Sequence, residues 1–421
     1  MRRSFVLLLS LVCALSIAAQ SISATIDKAL KENDIITLQR LHPTLPDSLP
    51  ATTRLRVEAE LNIALNNLEG AKNSISNLLN NHSAELGEEL TSHYFSLLLE
   101  ACYNLGDYRS AAHLVSGIEG AKAEHRLFST MAKVRPMRVK LPKDGAEVPF
   151  KLRKVGNGGH HIWVDVEIGE GKKRTCKEFV FDSGAGLSCV SEEFARANNF
   201  RFLNDSIATG GVGGRLNLQL ATTPRLRIGE MVVENPIFLV FRRGQTALDK
   251  ASGREFANII GNPIMREAGC VEIDFRGNNI RFGSTAELSS KSPLFRRGSL
   301  YYIGVEVDGL TIDAEIDTGA VSTMMTPLFH THYKGTNPTA ETRQLEGRGV
   351  GGTNRFEGII APLLSFRLGN RTVQLEQVKI ATNNDDYQVV SPYSQGWLGM
   401  DLLAKFSRIV LDFDTMTFSA E

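Results

Sequence analysis

The sequence predicts a mainly β protein of two similar lobes carried in one chain behind an α-helical N-terminal domain. Three observations predict it. Apolar residues recur at helical intervals up to about Lys133; short alternating runs punctuated by Gly, Pro and Asn follow Pro136; and that second region matches itself, segment by segment. The 421 residues suit two or three domains, and 47 basic against 47 acidic side chains with 42% hydrophobic residues mark a folded globular chain. A balanced charge provides no broad electrostatic footprint for nucleic acid.

At the N-terminus, Arg2 and Arg3 precede an apolar run from Phe5 to Ala19 that ends in small residues. The run is shorter than the roughly 20 residues that span a bilayer, so residues 1–19 read as a secretory signal peptide and not as an anchor. The expected destination is export, to a periplasm, a cell surface or the medium. Cys102, Cys176, Cys189 and Cys270 would remain after cleavage; a Cys176–Cys189 bond and four buried thiols are both compatible with so sparse a set.

Residues 20–135 form the expected helical domain. Leu55, Val57, Leu61, Ile63, Leu65 and Leu68 recur at helical intervals, as do Tyr94, Leu97, Leu98, Ala101 and Leu105. Asn67-Leu68-Glu69-Gly70-Ala71 aligns with Asn104-Leu105-Gly106-Asp107-Tyr108 at an offset of 37 (104 − 67), near the roughly 34-residue period of tetratricopeptide repeats. A repeat surface that recruits a protein partner and a plain helical bundle fit this spacing equally.

Beyond Val134-Arg135-Pro136, Phe150–Val155 and His161–Ile168 are strand-like runs around Asn157-Gly158-Gly159, a hairpin signal. The internal match then runs in order. Val164–Ile168 pairs with Ile303–Val307, Phe181-Asp182-Ser183-Gly184-Ala185 with Ile316-Asp317-Thr318-Gly319-Ala320, and Gly211-Val212-Gly213-Gly214 with Gly349-Val350-Gly351-Gly352. Ile259-Ile260-Gly261 pairs with Trp397-Leu398-Gly399, and Glu272–Phe275 with Val410–Phe413. Offsets stay between 135 (317 − 182) and 139 (303 − 164), changing only where loops absorb residues. The expected lobes are 136–290 and 291–421, with a linker from near Gly283 to a first strand near Leu300.

In each lobe Asp-Ser/Thr-Gly-Ala directly follows an apolar strand, and turn chemistry alone does not require the same triplet twice in register. Two carboxylates about 3 Å apart cannot both ionise, so a shared proton makes one a base for water and the other an acid for a carbonyl oxygen. Asp182 and Asp317 are thus the candidate catalytic pair. Ser183 and Thr318 are expected to brace the loops across the lobe junction, and Gly184 and Gly319 to let the backbone pass beneath the acids. This chemistry uses no metal and no cofactor. The Gly-rich quartets lack the GxxxxGK pattern of phosphate loops and read as mobile flaps over substrate. His160-His161 and His330-Thr331-His332 lack a third ligand for a metal, and no Gly-x-Ser-x-Gly elbow occurs.

On these motifs the region from about Phe150 to Glu421 resembles the retropepsin-like aspartic proteases. The resemblance implies a pepsin-like bilobal arrangement of two retropepsin-like lobes, with Ile-Ile-Gly and Trp-Leu-Gly buttressing the loops that carry Asp182 and Asp317. Gly-Asn-Pro-Ile-Met at 261–265 departs from the Gly-Met-Asp-Leu-Leu of the second lobe. Viral members assemble two identical chains, whereas the duplication implies both halves here in one monomer. The expected function is an exported aspartic endopeptidase acting on peptide or protein substrates. The alternative is a non-catalytic peptide-binding scaffold on the same lobes.

Overall fold

The structure, a computed structural model, describes residues 22–155, 159–169, 174–211, 214–242, 258–283, 290–333, 341–349, 352–383 and 393–421. The chain is mainly β behind a helical N-terminal region. It divides into two compact units, one ending at Leu105 and one beginning at Gly106, a division that falls within the helical stretch.

In the first unit, residues 22–32 are helical and are followed by helices Ile35–Leu41, Ala51–Ala64, Leu68–Asn81 and Ser83–Asn104. Val57, Leu61, Ala71, Ile75, Leu78, Tyr94 and Leu98 supply its buried apolar face. Helix starts are fixed by side-chain caps: Asp34 accepts from the Thr37 N–H and Asn67 from the Gly70 N–H. Asn66 takes φ 59° just before that second cap. The same device recurs in the second unit, where Gly106 takes φ 71° and Asp107 caps Tyr108–Val115 by accepting from the Ser110 N–H. Asn104, by contrast, is the last residue of its helix. The turn chemistry therefore aligns Asn66-Asn67 with Gly106-Asp107 at a separation of 40 (106 − 66), correcting the offset of 37 read from residue identity.

The second unit continues with helix Lys122–Met131 and then strands. Strands Ala146–Val155 and Gly159–Ile168 form the expected hairpin, with Phe150 opposite Val164. Gly159–Ile168 pairs antiparallel with Thr175–Asp182, which lies parallel to Ile259–Gly261 with Gly261 opposite Asp182. Farther along the chain, Leu300–Val307 pairs antiparallel with Leu310–Ile316, which lies parallel to Gly396–Leu398 with Leu398 opposite Ile316. The burial alternates as a one-sided sheet requires: Ile312, Ala314 and Ile316 enter the core, as do Ile162, Val164 and Val166.

A further sheet runs through six strands in the order Ala146–Val155, Asn279–Phe282, Cys270–Asp274, Arg408–Asp412, Thr417–Ala420 and Ser292–Arg297. At its centre Glu272 is opposite Val410, flanked by Cys270 opposite Asp412 and Asp274 opposite Arg408. Glu272 is fully buried and lies 3.6 Å from both Arg281 and Arg408, which offset the cost of its charge. The strand Ser292–Arg297 replaces part of the expected 283–300 linker; besides joining this sheet it pairs with Leu300–Val307. Its Leu294 and Phe295 are buried, the apolar signal that a linker reading passes over.

Among the described residues Cys102, Cys176, Cys189 and Cys270 form no disulfide; Cys102, Cys189 and Cys270 are buried and Cys176 is exposed, so neither the Cys176–Cys189 bond nor four buried thiols holds.

Candidate functional site

Asp182 ends the strand Thr175–Asp182 and Asp317 follows the strand Leu310–Ile316. The two loops meet. A methyl group added at Gly319 would fall under 3 Å from the Asp182 carboxyl, and one added at Gly184 under 3 Å from that of Asp317. Each acid thus rests against the glycine of the opposite motif, a contact that any side chain at Gly184 or Gly319 would occupy.

Beneath the acids the hydroxyls are exchanged. The Ser183 N–H donates to Thr318 Oγ1 at 2.9 Å, and the Thr318 N–H donates to Ser183 Oγ at 3.0 Å. Each hydroxyl in turn donates across the junction, Ser183 Oγ to the Ile316 carbonyl at 2.7 Å and Thr318 Oγ1 to the Phe181 carbonyl at 2.8 Å. Ser183 and Thr318 are almost wholly buried. All four bonds join segments more than 130 positions apart in the chain, and losing either hydroxyl would strand buried backbone groups at roughly 1–3 kcal/mol each.

A second tier holds the loops from below. The Asp317 N–H donates to the Leu398 carbonyl, the Met400 N–H to the Ala320 carbonyl and the Asn262 N–H to the Ala185 carbonyl. The Gly261 N–H donates to Ser188 Oγ and the Gly399 N–H to Thr323 Oγ1, both at 3.0 Å. A Cβ at Gly261 would strike the backbone of Leu187, and one at Gly399 that of Ser322, each under 3 Å. The departure at 261–265 preserves this support and adds to it: Asn262 Nδ2 donates to the Ser183 and Ser299 carbonyls. On the other side, Asp401 accepts from both the N–H and the hydroxyl of Thr323. Their signal in the sequence is a polar residue just after each buttress glycine, Asn262 one position after Gly261 and Asp401 two positions after Gly399.

The two acids differ in their surroundings. Asp317 Oδ1 accepts the N–H groups of Gly319 at 2.8 Å and Ala320 at 2.9 Å. Asp182 Oδ1 is buried and has no hydrogen-bond partner among the described residues. Burial, followed by the charge of Asp317, pushes the Asp182 carboxyl well above the usual range, against the pull of the Gly184 and Ala185 backbone N–H groups. Burial also raises Asp317, while the two backbone donors pull it back. Both carboxyls are thus raised by burial, and as a coupled pair they hold one proton between them.

A third acid lies nearby. Glu315, two residues before Asp317, is buried, and its carboxyl is pushed well above the usual range by burial and then by the charges of Asp317 and Asp182. Its signal in the sequence is a charge two residues before Asp317, where the strand before Asp182 has Val180.

Of the flap quartets, Gly211 faces Gly214 and Gly349 faces Gly352 as the closing pairs of two antiparallel hairpins, Arg201–Gly211 with Gly214–Thr222 and Arg343–Gly349 with Gly352–Leu368. Val212, Gly213, Val350 and Gly351 lie outside the described residues. Leu345 and Phe356 of the second hairpin pack with Met324 and Ala381, and half-buried Trp397 closes against them. His161 is hydrogen-bonded to the backbone of Gly319, and burial lowers its pKa. A Cβ at Gly159 would strike Val321, so the first hairpin also abuts the loop that follows Asp317. His330 and His332 lie on the short helix Pro327–His332. Among the described residues no three His, Cys, Asp or Glu side chains converge on a metal-sized site.

Among solved structures, the basic 7S globulin from soybean is similar over 68% of this chain and 95% of its own, at 12% identity and a TM-score of 0.36. A retropepsin-like aspartic protease from Rickettsia conorii is similar over 32% of this chain and 100% of its own, at 15% identity and a TM-score of 0.20. No curated protein matches the chain. Residues 164–264 match the family described as Aspartyl protease, a span that begins within the strand Gly159–Ile168 and takes in Asp182, Ser183, Gly184 and the buttressing Ile259-Ile260-Gly261. That match supports, for this segment, the resemblance to retropepsin-like aspartic proteases.

Proposed function

We propose that this protein is an aspartic endopeptidase whose water nucleophile is activated between Asp182 and Asp317. The observation that carries the proposal is the apposition of two unequal carboxyls, each seated against the other motif's glycine. Asp317, ionised, takes a proton from water as the water oxygen attacks the scissile carbonyl carbon. Asp182 gives its proton to the carbonyl oxygen, so the tetrahedral species forms without a buried oxyanion. Its collapse returns a hydroxyl proton to Asp182, delivers the Asp317 proton to the departing nitrogen and breaks the C–N bond. The hairpins ending at Gly211/Gly214 and Gly349/Gly352 would hold an extended peptide by main-chain hydrogen bonds.

We further propose that the β region arose by duplication and works as two lobes of one monomeric chain. The central sheet supports this: an offset of 138 (410 − 272) carries Cys270 opposite Asp412 onto Asp274 opposite Arg408, and returns Glu272 opposite Val410 to itself. A pseudo-twofold axis through that pair accounts for the ladder. The charge run and apolar segment at residues 1–19 support export, and the helical region is a candidate surface for a protein partner.

Hydrolysis of a denatured protein across acid to alkaline pH tests the reading. Because only the singly protonated pair is both acid and base, the rate is expected to follow a bell whose two limbs belong to the pair. Burial raises both carboxyls, so the alkaline limb, where the pair loses its shared proton, is expected above the usual carboxylate range. A rate that climbs steadily to about pH 9 would assign the chemistry to another group.

A further inference from the structure

Glu315 has a setting that the hydrolytic mechanism does not use. On the strand Leu310–Ile316 the even-numbered residues Ile312, Ala314 and Ile316 enter the core, so Thr311, Asp313 and Glu315 share the opposite face and lead directly to Asp317. Glu315 retains 9% exposure, and no described residue gives it a hydrogen bond or an ion pair. The cation on the same face is engaged elsewhere: Arg297 donates to Asp313 at 2.6 Å and stacks over the rings of Phe295 and Tyr302. In the strand ladders Glu315 is flanked by Tyr302 on one side and Trp397 on the other. Tyr302 is fully buried and backs the site, whereas Trp397 is half-buried and is fixed by donation from its Nε1 to the Ser322 carbonyl at 2.9 Å. A nine-tenths buried carboxyl without a partner is costly, and its cost is removed by a cation brought in from outside.

We propose that Glu315, with Trp397 beside it, forms a subsite that receives the lysine or arginine side chain of a substrate residue flanking the scissile bond. The proposal rests on the reading of Asp182 and Asp317 as the hydrolytic pair. The apolar stem of such a residue lies along the indole face while its charge reaches the carboxylate, an arrangement that combines ion pairing with cation–π attraction. The titratable groups around Glu315 are Asp317 and Asp182 beside it, Asp313 with Arg297 along its strand face, and Tyr302 across the ladder. The two catalytic acids and burial hold the Glu315 proton on in the empty site, so a basic side chain displaces that proton when it binds. Preference for a basic residue over a neutral one therefore increases as pH rises.

The test is hydrolysis, by the intact chain, of matched peptides in which each residue flanking the cleaved bond is in turn lysine, arginine, norleucine, glutamine or glutamate. At one of these positions the wild type is expected to show kcat/KM for lysine or arginine about tenfold or more above norleucine, with glutamate poorest. In Glu315→Gln the basic-to-norleucine ratio falls toward one and loses its pH dependence; in Glu315→Leu it falls below one. An absent basic preference in the wild type, or one that persists in Glu315→Gln, overturns the subsite. A uniform loss over all peptides also overturns it, because it would make Glu315 a positioning residue for the pair. Asp317→Asn is run alongside: if that variant cleaves like the wild type, the hydrolytic reading fails whatever the flanking preference.

Discussion

Asp182→Asn and Asp317→Asn are each expected to fold and to lose peptide hydrolysis by about 10³-fold or more, with the double variant no worse than either single one. Asn preserves the shape of the carboxyl in the space beside Gly319 or Gly184, but it neither accepts the water proton nor returns one. The effects do not add because the acids act as one unit. Loss of chemistry is separable from loss of fold through the pH dependence of stability. The folded-state pKa of Asp182 is raised, so its contribution to stability is fully present below the unfolded value of about 4 and is lost as pH rises through the folded value. Asn does not titrate. The thermal midpoint of Asp182→Asn should therefore exceed that of the wild type at pH 7, with the advantage vanishing near pH 4. Melting curves at the two pH values check it; a midpoint well below wild type at pH 7 would attribute the inactivity to unfolding.

The second large effect is expected from one methyl group. Gly319→Ala places a Cβ against the Asp182 carboxyl and Gly184→Ala places one against Asp317, so the pair must separate or the loops must shift. The loops have little room to shift, because the crossed bonds of Ser183 and Thr318 and the donors at Asp317 and Met400 tie them on two tiers. A displacement of about 1 Å at reacting groups costs on the order of 100-fold in rate, and overpacking typically costs about 1–3 kcal/mol. Each alanine variant should thus lose kcat by about two orders of magnitude and melt several degrees lower. Short-peptide kinetics with parallel melting curves measure both, and a wild-type kcat in either variant would show that the acids do not need this close seat.

What could be read from the sequence was local chemistry that occurs twice. The strand-to-Asp turns, the glycines beside them and the two buttresses are short segments whose constraints lie within a few residues, so identity and order exposed them. The hairpin at 146–168 was legible for the same reason, through its alternating apolar residues. Long-range packing was not legible. Nothing local marks His161 as a neighbour of Gly319, Gly159 as a neighbour of Val321, or Asn262 as a donor to Ser299. Ser292–Arg297 falls within the expected linker because Pro293 and the flanking polar residues outweigh Leu294 and Phe295 until the strand has Thr417–Ala420 and Leu300–Val307 to pair with. The helical register erred by three residues because Asn104 and Asn67 share an identity but not a role, one closing a helix and the other capping the next.

The central claim is that Asp182 and Asp317 of one chain constitute the hydrolytic pair, and mixing tests it most directly. Asp182→Asn and Asp317→Asn chains are unfolded, combined in equal amounts, refolded together and assayed on denatured protein beside the wild type. If the pair is completed within each chain, no mixture contains an intact pair, and the refolded sample is expected to be as inactive as either variant alone. Recovery of activity, up to about half that of the wild type, would mean that lobes exchange between chains and rebuild one intact pair per dimer, contradicting the single-chain account.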